Sequence, residues 1–354
     1  MAKHLASCLP SSQSKAFIIT GSSLAKKTNL VQTVEELLGI KHHHAGTFAN
    51  IRQHAPVAQL DEATSAVAQD PTIDTLISIG GGSPIDSAKA ISYRVHEKTN
   101  RYLHHIAIPT TLSAAECTFN AGYTRADGTK ISVASPELAP HIIIYDVHFA
   151  GQTPAKLWLS TGIRALDHAI ELLYHPTATE VPAKQLVLTA LASLFEYLPK
   201  SSKDPKNEDY ITQLQLAAFS SLYPLGTNVR GPLGLSHSLG YALGSPYHIP
   251  HGITSCLTLA SVVRLKAKHP YEATQIAKAL PFLGQERARS GDDREDAVKM
   301  GDVIEGLVEQ LGLRTSLSEY GIGEDQIPTI VRTAIKADEG ELYETVVELV
   351  RNLI

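Results

Sequence analysis

An apolar stretch, DTLISI at residues 74–79, runs directly into three glycines and then a helical pattern, giving GGGSPIDSAKA from Gly80 to Ala90. A buried strand that stops on glycine and reopens as a helix is half of a βαβ unit, and such a unit commits its neighbours to a parallel sheet covered by helices. The rest of the first 150 residues agrees. AFIIT (16–20), HHIAIPT and HIIIYD (141–146) are further apolar runs of strand length. NLVQTVEELLGI and LDEATSAVAQD carry apolar residues at helical spacing, and FNAGYTRADGTKISV reads as a hairpin turned at Asp127-Gly128. Beyond about residue 150 the strand signals stop, and helical periodicity continues between polar connectors such as PKSSKDPKNEDY and GQERARSGDDRED. The expectation is an α/β domain over residues 1–151 and an all-helical domain over residues 152–354.

Composition narrows the function. Lys and Arg number 31 against 36 Asp and Glu, a formal charge of −5, so no electrostatic case exists for nucleic acid or an anionic membrane. No charge-free apolar run approaches the roughly 18 residues needed to span a bilayer. Three cysteines, Cys8, Cys117 and Cys256, are too few and too far apart for a disulfide framework or a CxxC metal pair. MAKHLASCLPSSQSK has no apolar stretch of secretory type, so a cytoplasmic protein is expected. Of the 16 histidines, the run His42-His43-His44 reads as a solvated strand edge or loop.

Two loops follow predicted strands. In the first, Gly80, Gly81, Gly82 and Ser83 let backbone N–H groups approach an anion at a helix start. The spacing matches neither G-x-G-x-x-G nor G-x-x-x-x-G-K-[ST], so it supports either a bound phosphate or carboxylate, or a structural turn with Pro84 opening the helix. Asp86 reads equally well as a first-turn acid favoured by the helix dipole. The second loop, IPTTLSAAECT, puts Thr110, Thr111 and Ser113 where open α/β sheets bind ligands. In the helical half, STGIRALDHAIELLYHP sets Arg164, His168 and Glu171 on one helical face with Asp167 beside it. GLSHSLGYALGSPYHIPHG places His237 and Tyr241 one turn apart, with His251 fourteen residues beyond His237. Such histidines are either metal ligands or hydrogen-bonded core residues.

The two loops, ALDHAIE and the His237-x13-His251 segment, in this order, resemble the iron-containing alcohol dehydrogenase superfamily. HAPV (54–57), IIYDV and GLSHSLGYALGSPYHIPHG are most similar to its maleylacetate reductase branch. The resemblance implies a Rossmann-like nucleotide-binding domain followed by a helical domain of dehydroquinate synthase-like type. NAD or NADP would exchange a hydride with a small carbonyl compound in a cleft between the two, in a homodimer. It assigns Gly80, Gly81, Gly82 and Ser83 to the pyrophosphate, Thr110, Thr111 and Ser113 to the ribose and nicotinamide side, and Lys130 to the ribose. Gly21 stands where relatives preferring NAD carry an aspartate, so NADP is allowed.

His168, His237 and His251 match the histidines that hold metal in the metal-dependent branch, but Arg164 replaces the fourth ligand, an aspartate. A permanent positive charge repels a dication, so no bound metal is expected. Asp167 points about 100° round the helix from the missing position, and with the three histidines it would complete a site only if metal were present. Tyr241 stands where the family keeps another histidine. Arg164 is expected to polarise a carbonyl or clamp a carboxylate, with Tyr241, His237 or His251 delivering the proton. The alternative is a repurposed member that keeps the nucleotide and catalyses a cyclisation, isomerisation or elimination in specialised metabolism.

Overall fold

A computed structural model describes residues 4–284 and 288–354, with Lys130 described in its backbone alone. The chain divides into two compact units, Met1–Thr153 and Pro154–Ile354.

The first unit runs β1 (Lys15–Thr20), α1 (Ser22–Lys27), α2 (Leu30–Gly39), β2 (His44–Phe48), α3 (Val57–Ala68), β3 (Ile73–Gly80), α4 (Gly82–Thr99), β4 (His104–Pro109), β5 (Asn120–Thr124), β6 (Lys130–Ala134), β7 (Ile142–Ile143) and α5 (Val147–Ala150). Five strands form a parallel sheet in the order β2-β1-β3-β4-β7. The apolar runs are continuous because both faces are covered. Phe17, Ile19 and Leu76 pack on one side with Leu60, Ala88 and Ile91 of α3 and α4, while Ile18, Ile77, Ile79 and Ile106 pack on the other with Leu30, Val34 and Leu38 of α2. Each of the phenylalanine, isoleucine, leucine and valine side chains among them contributes about 1.5–3 kcal/mol by leaving water. The order reverses between β1 and β3, and in an open sheet ligands bind beyond the carboxyl ends of the strands at such a point. The Gly80 loop ends one of those two strands.

Local outcomes sharpen several readings. The hairpin forms as β5 and β6, antiparallel, with Gly128 at φ +83° in its turn. HIIIYD yields only a two-residue strand, because Tyr145 turns to donate to Glu116 (2.8 Å) and Asp146 turns to cap α5 through the N–H of His148 (3.0 Å). In the histidine run, His44 opens edge strand β2, but His43 is buried with Nδ1 2.9 Å from the Ser14 carbonyl rather than solvated.

The second unit is helical: α6 (Ala155–Leu173), α7 (Gln185–Lys203), α8 (Glu208–Leu222), α9 (Leu235–Gly244), α10 (His251–Lys266), α11 (Pro270–Ala277), α12 (Asp293–Gln310), α13 (Ile327–Ile335) and α14 (Glu341–Arg351). The segment PKSSKDPKNEDY is mostly helix rather than connector: α7 continues through Pro199, and Ser201, buried, accepts from the Trp158 indole at 3.1 Å. The second polar connector runs partly outside the described residues; Asp292 caps α12 from it. From Trp158 to Leu173 every residue of α6 is buried, so polar side chains on any of its faces must find partners inside the protein. No described helix is long and apolar enough to cross a membrane.

Candidate functional site

In the first unit, Gly80 closes β3 at φ +140°, a conformation that L side chains rarely adopt. Gly81 caps α4, and Gly82 is its first residue. A Cβ on Gly81 would stand 3.0 Å from Thr111 Cγ2 and Oγ1, so this glycine lets the second loop lie directly against the first. The loops are tied by the Thr110 N–H donating to the Gly80 carbonyl at 2.9 Å. Ser83 Oγ accepts the N–H of His54 at 3.1 Å, and Ser113 Oγ is buried without a hydrogen-bond partner. A helix start, a glycine loop that a Cβ at Gly80 or Gly81 would crowd and an unpartnered buried hydroxyl fit a phosphate-bearing cofactor. Asp86 is not in the first turn: it is the fifth residue of α4, where it accepts the Gly122 N–H (3.2 Å). The side chain of Lys130 lies outside the described residues.

In the second unit, α6 delivers four charged or titratable side chains at helical spacing, Arg164, Asp167, His168 and Glu171, all buried. Glu171 Oε2 accepts the N–H of Gly234 at 2.7 Å and lies 2.7 Å from His237 Nδ1; Oε1 accepts the N–H of Ser236 at 2.7 Å. One carboxylate therefore caps the start of α9 and orients the histidine on that helix. Asp167 Oδ2 accepts from the hydroxyls of Ser255 (2.6 Å) and Ser236 (2.9 Å) and from Arg164 Nη1 (3.5 Å), while Oδ1 is 3.4 Å from His237 Nδ1. Arg164 Nη1 also donates to Ser255 at 3.1 Å, beneath Gly240, whose added Cβ would sit 3.1 Å from that nitrogen. The His168 and His237 rings are 4.9 Å apart.

These environments drive the two histidines in opposite directions. Burial and Arg164 pull His237 down, but the carboxylates of Asp167 and Glu171 outweigh them and raise it above its ordinary value. Burial, together with the charges of His237 and Arg164, holds His168 well below its ordinary value. Burial alone would raise the Asp167 carboxyl; His237, Arg164 and Ser255 reverse this and hold it below the usual range. A pair of groups pushed apart in this way is how one site holds an acid and a base together.

The structure thus brings together Arg164, His168 and His237. Tyr241 and His251 meet each other, the half-exposed tyrosine ring stacked at 6.0 Å over the histidine that opens α10. Asp167 shares the network with Arg164 although it points off that face, because α9 and α10 supply partners from both sides. Glu171 and Ser236 carry more of the network than sequence reasoning gave them. The signal was present: Asp167 and Glu171 are four apart on a helix, hence stacked one above the other.

Asp167, Glu171 and His237 each place one ligand-type atom within 4.8 Å of the others, the spacing of a metal centre. Through their hydrogen-bonded atoms they make a poor site for a divalent ion. The His237 nitrogen nearest the carboxylates is already hydrogen-bonded to Glu171, both Glu171 oxygens accept backbone N–H groups, and Asp167 Oδ2 accepts two hydroxyls beside a guanidinium. A dication would have to displace these donors and would be repelled by Arg164. Among the described residues, His168, His237 and His251 do not bring three ring nitrogens within the same 4.8 Å range.

The chain matches the family model for iron-containing alcohol dehydrogenase over residues 1–147 and the model for the C-terminal part of the Fe-containing alcohol dehydrogenase family over residues 158–349. It is 29% identical to dehydrogenase FUM7 of Gibberella moniliformis, covering 91% of this chain and 85% of that protein. It is 27% identical to maleylacetate reductase of Rhizobium sp. strain MTP-10005, covering 82% of this chain and 75% of the relative. The crystal structure of maleylacetate reductase from the same strain superposes with a TM-score of 0.79 at 22% identity, over 100% of this chain and 92% of that one. An α/β unit opening on a glycine loop, a helical unit built round α6 and two family matches that together span most of the chain lead to one assignment: this protein is an oxidoreductase of the iron-containing alcohol dehydrogenase family, near its maleylacetate reductase branch.

Proposed function

We propose that the chain is an NAD(P)H-dependent reductase of a small carbonyl compound that works without a divalent metal. One observation carries the reading. Arg164 Nε, Asp167 Oδ1, His168 Nδ1 and His237 Nε2, four buried polar atoms without hydrogen-bond partners, belong to neighbouring side chains of one cluster. Buried polar atoms are normally paired, so a cluster that keeps donors and acceptors open together suits a polar substrate atom that gains charge during reaction. The maleylacetate reductases among its relatives make maleylacetate and similar keto acids the first substrates to try.

In this reading the backbone N–H groups of Gly80, Gly81 and Gly82 and the Ser83 hydroxyl hold the cofactor pyrophosphate, and Thr110, Thr111 and Ser113 border its other half. When bound, the reduced nicotinamide supplies the hydride. His237 supplies the proton. Glu171 accepts a hydrogen bond from its Nδ1–H, the two carboxylates favour the imidazolium, and Nε2–H gives its proton to the carbonyl oxygen as that oxygen becomes an alkoxide. Arg164, pinned by Asp167 and Ser255, supplies the fixed positive charge that steadies the oxyanion. Neutral His168 holds the substrate through a hydrogen bond, and Tyr241 with His251 returns a solvent proton to His237.

The test mixes purified protein with NADH or NADPH and a carbonyl panel that includes maleylacetate, and follows the absorbance of the reduced cofactor before and after exhaustive chelation. Oxidation that survives chelation is expected. Stoichiometric metal whose removal ends turnover would sink the metal-free reading. Product formed with the cofactor unchanged would replace reduction by a rearrangement.

A further inference from the structure

Lys89 is the largest side chain that the described residues of this protein bury completely. It lies on α4, beyond the glycine loop, and a buried ammonium is costly unless its donors and charge are met. Here they are met. Nζ donates to the Ala115 carbonyl (2.6 Å), the Asn120 carbonyl (2.9 Å) and the Thr118 hydroxyl (3.3 Å), with Asp86 Oδ1 at 3.7 Å. Only an ammonium offers three donors from one atom, and the three acceptors come from both ends of one short segment. That segment is sharply bent: Ala114 enters it at φ +57° and Ala115–Cys117 form a 3-10 turn. Burial lowers the Lys89 pKa, while Asp86 and Glu116 act against that. Glu116, also buried, anchors the segment from its other side by accepting the Tyr145 hydroxyl at 2.8 Å.

The beginning of the same loop, Thr111 and Ser113, lies against Gly81 and Gly82. A dinucleotide whose pyrophosphate sits at the start of α4 has one half over the loop after the adjacent strand β4. We propose that Lys89 is a positioning residue: by gathering Ala115, Thr118 and Asn120 onto one buried point, it holds the Thr110–Asn120 loop at the separation from the glycine loop that the nicotinamide half of the cofactor requires. This rests on the cofactor reading above. Lys89 touches no cofactor atom itself and acts through the loop.

The test compares two probes by calorimetry: ADP, which carries the adenosine half and the pyrophosphate but no nicotinamide half, and whichever of NADH and NADPH binds the wild type more tightly. In Lys89→Met the dinucleotide should bind about tenfold more weakly or worse, the scale expected when buried acceptors lose their donor, while ADP stays within about twofold. Thr118→Val removes one acceptor at nearly constant shape and should give the same pattern at roughly threefold. Equal losses for both probes would make Lys89 a general fold residue and overturn the proposal. So would unchanged dinucleotide affinity in folded Lys89→Met. If that variant fails to fold, Thr118→Val decides alone, and unchanged dinucleotide affinity there overturns the proposal. A wild-type chain that binds ADP but neither dinucleotide overturns the cofactor reading itself, and this proposal with it.

Discussion

In the proposed reading the first unit offers a ligand mostly backbone N–H groups, and glycine is what allows the approach; the second offers buried ionisable side chains of α6 and α9, held by hydroxyls of α9 and α10. A backbone cradle needs little charge, tolerates water and recognises an anion by geometry. A buried charge cluster must be neutralised almost completely from within, and what it leaves unpaired becomes reactive. The difference predicts a division of labour in which damage to the first unit is read in cofactor affinity and damage to the second in turnover and stability.

The sharpest way to break that division is Gly81→Val, which puts a branched side chain where even a Cβ would stand 3.0 Å from Thr111. Saturable binding of NADH and NADPH should vanish in calorimetry, while the melting of the second unit is unchanged. Wild-type affinity in this variant would move the phosphate site elsewhere. Next in size, His237→Asn should lower kcat/KM by on the order of 1,000-fold, within the range for a lost general acid, with cofactor affinity kept within about twofold. A comparable loss of cofactor binding would erase the distinction between the units.

Asp167→Asn keeps an acceptor for Ser236 and Ser255 but leaves Arg164 and His237 with one carboxylate between them. Removing one partner of a buried ion pair costs about 3–5 kcal/mol, so a fall of roughly 10 °C in the melting temperature of the helical unit is expected by calorimetry. A fall of only a degree or two would show that hydrogen bonding, rather than charge, holds the cluster.

The smallest effect belongs to the first unit. His105 is held well below its ordinary value by burial and by Lys89, His141 and His104, and burial likewise lowers His104 and His141. Because the folded values lie below the unfolded one, the unfolded chain takes up protons more readily in acid. The stability these neutral histidines permit is fully present above about pH 6.5 and is lost as pH falls through that value toward the folded ones. Melting temperature should therefore drop by a few degrees between about pH 7 and 5, and His105→Gln should flatten the decline. A wild-type profile in His105→Gln would place the acid sensitivity in His104, His141 or His168, which are shifted the same way.

Much of this architecture was legible in the chain. Apolar runs ending in glycine gave the strands and the loop, because a strand buried on both faces reads as unbroken hydrophobicity. The Asp127-Gly128 turn gave the hairpin. In the helical half, the spacing of Arg164, Asp167, His168 and Glu171 was visible, but their partners were not. Ser236, Ser255 and Gly234 lie 60 to 90 residues away, and serines and glycines carry no signal of their own until a packed helix brings them within hydrogen-bond distance. Lys89 was hidden for a related reason: a lysine in a helix normally reads as solvent-facing, and only the fold of the Ala115–Asn120 segment turns it inward.

By itself, the sequence determined the α/β-then-helical order and the glycine loop that closes β3 and opens α4, because these depend on local spacing and residue type, while only the resemblance to relatives set Arg164 against a ligand aspartate. Tertiary structure alone decided that Asp167 meets Arg164 instead of pointing away, that Glu171 fixes the His237 ring, that Tyr241 stacks on His251, and that His237 and His168 shift in opposite directions. The physical reason is range. Hydrophobic periodicity is written within a few residues, whereas a buried charge takes its pKa and its partners from whatever the folded chain packs around it.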